Sequence, residues 1–237
     1  MEIRFETIGI IRSCYKEKFG IPRQAGLAPT ATATLELLPP FNRAEAFTGL
    51  EGFSHLWLLF LFHGNNREEW KATVRPPRLG GNTRLGVFAT RSPFRPNPIG
   101  LSAVQLDRIE QTHGKVALHL KGVDLLDGTP VIDIKPYLPY ADAITTANGG
   151  FAAEAPTGQL PVHFLPEPNQ TCQALENDRY PGLRQLIIDT LRNDPRPAYY
   201  QKRAKKKSFG IKLFDFDLRW QQDDEGIIVT ELLRRDH

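Results

Sequence analysis

Apolar and polar residues alternate along residues 3–11, and again along 31–37, where Ala31, Ala33, Leu35 and Leu37 interleave with Thr32, Thr34 and Glu36. A period of two puts every second side chain on one face, so both stretches predict half-buried strands. The polar stretch 13–29 between them predicts a long loop. Asn42 ahead of Arg43-Ala44-Glu45-Ala46-Phe47 predicts a short capped helix. Residues 55–62 are apolar on both faces and predict a fully buried central strand. Pro76-Pro77 and Gly80-Gly81-Asn82 then break residues 64–83 into loop.

Strand patterning returns at 84–90 and 99–109. A His113-Gly114 turn leads into 115–121, where Val116, Leu118 and Leu120 alternate, which predicts a hairpin. Asp127-Gly128 supplies the positive φ of a tight turn, and 131–134 resumes a strand that Pro136 ends. About seven strands with almost no helix predict a mainly β fold, a closed or nearly closed sheet. The Ala-, Thr-, Gly- and Pro-rich stretch 141–158 reads as a linker or long edge loop, and the composition changes beyond it. There Pro181, with Leu183, Leu186, Ile187 and Leu191 at three- or four-residue spacing, predicts an amphipathic helix. Residues 209–220 and 226–233 predict a hairpin across the acidic turn 221–225. The expected organisation is a β-barrel over residues 1–150 and a small α+β domain over 151–237.

The chain's 237 residues, 41% apolar and 24% charged, exclude disorder and collagen-like structure. No stretch approaches the ~18 apolar residues of a membrane span. The N-terminus lacks the basic and apolar regions of a signal peptide, so a cytoplasmic protein with no membrane partner is expected. Cys14 and Cys172 are too few for a disulfide framework or a cysteine zinc site and read as inert thiols. The net charge of +3 argues weakly for a polyanionic partner, but Lys202, Arg203, Lys205, Lys206 and Lys207 crowd five cations into six positions. Aromatic Tyr199 and Tyr200 and the cation Arg196 stand directly before them. Aromatics beside cations suit stacking on bases and pairing with phosphates, although a solvated charged face has the same composition.

The usual nucleotide, hydrolase and metalloprotease motifs are absent, the six His lack metal-ligand spacing, and no metal is expected. Thr90-Arg91-Ser92-Pro93-Phe94-Arg95-Pro96-Asn97-Pro98-Ile99-Gly100-Leu101-Ser102 joins two strands through three prolines. Fixed φ angles stiffen such a loop, which suits a ligand clamp or serves as a plain connector. Asp133, Lys135 and Tyr137 follow at two-residue spacing on one strand face, giving either a polar site or an outward salt pair.

The proline loop, together with Asp127-Gly128-Thr129-Pro130-Val131-Ile132-Asp133-Ile134-Lys135-Pro136-Tyr137, closely resembles the TsaA-like family. The likeness extends to Gly9, Pro22-Arg23-Gln24, Leu50-Glu51-Gly52-Phe53-Ser54-His55 and Asp194-Pro195-Arg196-Pro197, nearly the whole chain. The resemblance implies a small β-barrel methyltransferase, unlike the Rossmann-like ones, working as a homodimer with S-adenosylmethionine near the subunit interface. The implied reaction is methylation of N6 on threonylcarbamoyl-adenosine next to the anticodon, chiefly in a threonine tRNA. It further implies cofactor contacts at Arg23, Gln24 and Ala25, at His63 and Gly64, at Arg91 and Leu101, and at Asp127, Gly128, Thr129 and Pro130. Asp133 is then expected as the base or the group orienting the N–H, Lys135 or Arg91 as partner of the threonine carboxylate, and Tyr137 against the base. The tRNA contacts are expected at Arg196, Tyr199, Tyr200, Lys202, Arg203 and Lys205 to Lys207. A non-catalytic RNA-binding module of the same fold, or a small-molecule methyltransferase, are the competing readings.

Overall fold

The computed structural model describes residues 2–64, 69–112, 114–156, 160–195, 208–223 and 225–235. Six strands close into an antiparallel barrel: β1 (Gly9–Ser13), β2 (Thr32–Leu37), β3 (His55–Leu61), β6 (Ile99–Thr112), β7 (Lys115–Lys121) and β8 (Pro130–Pro136). Around the barrel the order is β1-β2-β7-β6-β3-β8, with β8 pairing back onto β1. Alternation drives closure, because every strand sends one set of apolar side chains inward. Leu35, Leu56, Leu58, Leu118, Leu120 and Val131 are fully or almost fully buried there. Gly100 faces Phe60 across β6 and β3, and a Cβ on Gly100 would overlap the Phe60 ring, so the missing side chain lets the aromatic fill the interior.

Strand direction decides where the loops go. Because neighbours run antiparallel, the connections 14–31, 62–98 and 122–129 all leave the same end of the barrel. The second connection holds the short pair β4 (Thr73–Val74) and β5 (Leu85–Gly86). After α1 (Pro139–Asp142), a four-stranded sheet forms from β9 (Val162–Phe164), β10 (Ser208–Leu213), β11 (Phe216–Gln222) and β12 (Ile227–Arg234), in the order β10-β11-β12-β9. The helices α2 (Pro166–Asp178) and α3 (Leu183–Leu191) accompany it. Trp220 is fully buried, between Phe19 of the 14–31 connection and Phe209 of β10.

The two parts share one core. Lys16 N–H donates to Lys212 O (3.2 Å) and Phe214 N–H to Cys14 O (2.8 Å), so the start of the 14–31 connection continues the sheet beyond β10. Deeper in, the Tyr15 hydroxyl meets Thr190 Oγ1 at 3.3 Å, Thr30 Oγ1 donates to Asp189 Oδ2 (2.6 Å), and Asn193 Nδ2 donates to Leu27 O (3.0 Å). The stretch expected as a polar loop is therefore anchored, with Cys14, Tyr15 and Ala28 buried.

The mainly β barrel with a small α+β part is as expected, and several elements differ. The first strand is displaced to Gly9–Ser13, and residues 84–90 form only β5 and a 3-10 turn outside the barrel, which therefore has six strands. Asn42 does not cap a helix: Nδ2 donates to Gly114 O (2.9 Å), and a 3-10 turn, Ala44–Phe47, follows without a side-chain cap. The helix α3 begins after Gly182, which takes a positive φ, and α2 and β9 had no sequence forecast. Residues 209–220 are two strands rather than one, turned at Phe214, where a backbone φ of 51° reverses the chain. Strand β3 buries only one face, because the barrel interior lies on that side alone.

Candidate functional site

The three connections at one barrel end carry the residues expected around a cofactor, except Leu101, which lies in β6, and Pro130, which opens β8. Within 14–31, Gln24 accepts a hydrogen bond at Oε1 from Arg91 Nη1, which joins the first connection to the proline loop. Arg23, beside it, has its guanidinium held below its usual range by desolvation, with Asp194 pulling the other way. Asp124 lies in the third connection and accepts from Ser102 Oγ at Oδ1 (2.6 Å). Burial pushes its carboxyl up, while Ser102, the Ala25 backbone amide and the charge of Arg91 pull it down. Residues 23–25, 91, 102 and 124 thus meet.

His63 and Gly64 close the other side. A Cβ on Gly128 would stand 3.7 Å from His63 Nε2, and one on Gly64 would stand 3.1 Å from Leu126 Cδ2 and 2.5 Å from Lys18 Cε. Gly128 takes the positive φ of 79° that the turn requires. Asp127 and Thr129 spend their side chains on the fold. The Asp127 carboxylate accepts from Ser13 N–H (2.8 Å) and pairs with Lys16 (3.0 Å), and Thr129 Oγ1 donates to Leu126 O (2.7 Å). The N–H groups of Asp127, Gly128 and Thr129 are likewise spent, on Tyr15 O (2.9 Å), Ile11 O (2.8 Å) and Leu126 O (3.2 Å), so the turn offers a ligand a shaped surface rather than free donors.

The proline loop is tied to itself. Arg95 Nη1 donates to Thr90 O (2.7 Å) and Thr90 Oγ1 to Val87 O (2.8 Å), while Lys71 N–H reaches Phe94 O (3.0 Å). Arg95 is consumed within the loop, and Arg91 is the arginine directed across the barrel end.

Asp133, Lys135 and Tyr137 lie elsewhere on the protomer. Asp133 Oδ2 pairs with Lys135 Nζ at 2.7 Å, and Asp133 Oδ1 accepts from Ile134 N–H (2.9 Å). Both side chains leave the outer barrel face opposite Leu59 and Trp57, and Leu101 sits opposite Leu59 on the other flank, so Leu101 and Asp133 share one row. Tyr137 tilts against Trp57 (ring centroids 5.5 Å) and His55 (6.3 Å). At ~3.3 Å per residue Tyr137 is about 23 Å along β8 from Pro130, so the fold does not bring it to the loops.

Arg196, Tyr199, Tyr200, Lys202, Arg203, Lys205, Lys206 and Lys207 lie outside the described residues. A groove of about 400 Å³ runs between the outer barrel wall and the tip of the C-terminal sheet, lined among others by Arg12, Lys16, Arg108, His119 and Phe214. Its cations are neutralised locally: Arg12 by Glu36 (2.8 Å), Arg108 by Asp107 (3.4 Å), and Lys16 by Asp127. Among the described residues no cluster of three or more His, Cys, Asp or Glu could hold a metal, and no helix is long and apolar enough to cross a membrane.

Two family descriptions match this chain: the tRNA-methyltransferase O N-terminal domain over residues 10–143 and the TrmO C-terminal domain over 157–235. The chain belongs to the tRNA-methyltransferase O family. It is 50% identical over 229 residues to the tRNA (adenine(37)-N6)-methyltransferase of Escherichia coli (strain K12), covering 97% of both chains. A Homo sapiens protein of the same name is 45% identical over 140 residues, 58% of this chain and 31% of that protein. A crystal structure of TrmO from Pseudomonas aeruginosa superposes with a TM-score of 0.81 at 41% identity, over 99% of this chain and 98% of that one. The N-terminal match takes in the barrel with all three connections, and the C-terminal match takes in the four-stranded sheet with α2 and α3.

Sequence reasoning assigned no role to Asp124 or Ser102, although Ser102 closes the proline motif and Asp124 stands three residues before the second one. The available signal was a carboxylate between Val123 and Leu125, two residues that are buried. A charge at such a position needs partners, and those partners come from segments remote in sequence.

Proposed function

We propose that this member of the family transfers a methyl group from S-adenosylmethionine to N6 of an adenosine next to the anticodon of tRNA, the adenosine carrying a threonylcarbamoyl group. The observation that carries the reading is the convergence of residues 23–25, 63–64, 91 and 124–128 at one barrel end, in a chain alike end to end to a tRNA (adenine(37)-N6)-methyltransferase. The residues suit that cofactor: Arg91 can take a carboxylate, and Gly64 and Gly128 permit close backbone approach. S-adenosylmethionine supplies a methyl group on a positively charged sulfur, so the protein's task is alignment rather than activation by a metal.

The N6 proton, flanked by purine and carbonyl, is acidified by its surroundings and needs a base. Asp133 takes or orients that proton, Lys135 or Arg91 pairs with the threonine carboxylate, and Tyr137 lies against the base. The Asp133–Lys135 pair must open for both roles, a low barrier at a half-exposed site. A homodimer belongs to the reading. The outer face holding Trp57, Leu59, Leu61 and Leu101, the last 52% exposed, is apolar, and a dimer formed on it would enclose Asp133 together with the cofactor loops. The basic segment 196–207 holds tRNA phosphates, residues 1–150 and 151–237 divide the work between cofactor and tRNA, and the site of action is the cytoplasm.

The test incubates purified protein with methyl-labelled S-adenosylmethionine and total tRNA, with or without the threonylcarbamoyl group. Label confined to the modified tRNA is expected. Absence of label with tRNA binding intact would instead favour a binding module.

A further inference from the structure

We propose that Asp124 is a positioning residue for the sulfonium end of the cofactor, the anionic counterpart of Arg91. This rests on the cofactor site proposed above. Asp124 is held rather than free: Ser102 Oγ donates to Oδ1 at 2.6 Å, and the Ala25 amide and the charge of Arg91 act on the same carboxylate. Val123 and Leu125 on either side are buried, so the chain cannot swing the carboxylate away without exposing them. Arg91 is fixed in turn by Gln24. One cation and one anion therefore flank the segment 24–25 from two different connections.

That charge pattern matches an amino-acid cofactor with a carboxylate at one end and a positive sulfur beside it, and it mismatches a neutral thioether. A carboxylate kept from water gains more from a fixed cation than an exposed one does, since less solvent screens the interaction. Methyl transfer removes the sulfur's charge. Asp124 therefore holds the methylated form in preference to the demethylated one and favours exchange of product for fresh cofactor.

Calorimetric titration with S-adenosylmethionine and with S-adenosylhomocysteine tests this on intact protein without any turnover. Asp124→Asn is expected to weaken the sulfonium compound at least five-fold more than the thioether. Ser102→Ala, which keeps the carboxylate and frees it to move, is expected to lose part of that discrimination, with a native melting curve confirming its fold. Equal loss of both ligands in Asp124→Asn, or no loss, would overturn the role. Arg91→Ala and Gln24→Ala serve as the separate check on the site: if both bind the two compounds like wild type, the cofactor lies elsewhere, and Asp124 loses its role with it.

Discussion

Replacing Thr30 by Val tests whether the C-terminal helix α3 holds the connection that carries Arg23, Gln24 and Ala25. Thr30 Oγ1 donates to Asp189 Oδ2 at 2.6 Å, and Asp189 is 2% exposed. The other carboxylate oxygen is already occupied, by Gln185 Nε2 at 3.0 Å and Arg192 at 3.4 Å. Valine keeps the shape of threonine but leaves Oδ2 without its hydroxyl donor, away from water. Hydrogen bonds to charged groups contribute about 1.5–3 kcal/mol, so the loss should be of that order. At about 2–4 °C per kcal/mol for a chain of this size, the melting temperature should fall by about 3–12 °C. Thr30→Ser retains the donor and should stay within about 0.5 kcal/mol of wild type. Urea unfolding of Thr30→Val, Asp189→Asn and the double variant gives a coupling energy, expected at about 1 kcal/mol or more. S-adenosylmethionine affinity should fall in parallel, because the loosened connection leads directly into 23–25. A coupling below about 0.3 kcal/mol, or unchanged cofactor affinity at a lowered melting temperature, would refute the bracing argument.

Asp133→Ala should lower turnover by about 100-fold or more with cofactor affinity nearly intact, as steady-state kinetics and calorimetry would show; an unchanged rate removes Asp133 from catalysis. Burial pushes the Cys14 thiol up to about 12 and the Cys172 thiol up to about 11 from an ordinary 9.0. The unfolded chain releases these protons above about pH 9 while the folded one keeps them, so stability falls as pH rises past 9, by up to about 1.4 kcal/mol per pH unit for each thiol. Urea midpoints between pH 8 and 10.5 should show a flatter decline in Cys14→Ala, and native protein at pH 8 should resist iodoacetamide. Neutralising Lys205, Lys206 and Lys207 together should reduce the slope of log tRNA affinity against log salt by about 2, read by filter binding.

The reading of β2, β6, β7 and β8 succeeded because their alternation is the direct imprint of a two-sided environment, core on one face and solvent on the other. The same logic failed at residues 84–90, where apolar Leu85, Val87 and Phe88 satisfy a strand pattern yet the chain turns after two paired residues. It failed at 55–62 for a related reason. Apolar residues on both faces signal burial of both, but β3 turns only one face to the barrel interior, and its outer face is left partly exposed. The second helix α2 was missed because its apolar stripe is weak, its place being set by contact with β12 and α3 rather than by its own periodicity.

Sequence by itself determined strands β2, β6, β7 and β8, the stiff proline loop and the motifs that mark the family. Each depends on local covalent geometry or on a period within one segment. Tertiary structure alone decided that three remote connections share one barrel end, because that follows from the antiparallel order β1-β2-β7-β6-β3-β8 rather than from any segment's own pattern. It also decided that Asp127 braces Ser13 and Lys16 while Asp124, three residues earlier, meets Ser102, Ala25 and Arg91. A carboxylate's role is set by the donors and charges within a few ångströms of it, and those are brought there by chain closure, over 22 residues for Ser102 and Asp124 and over 114 for Ser13 and Asp127.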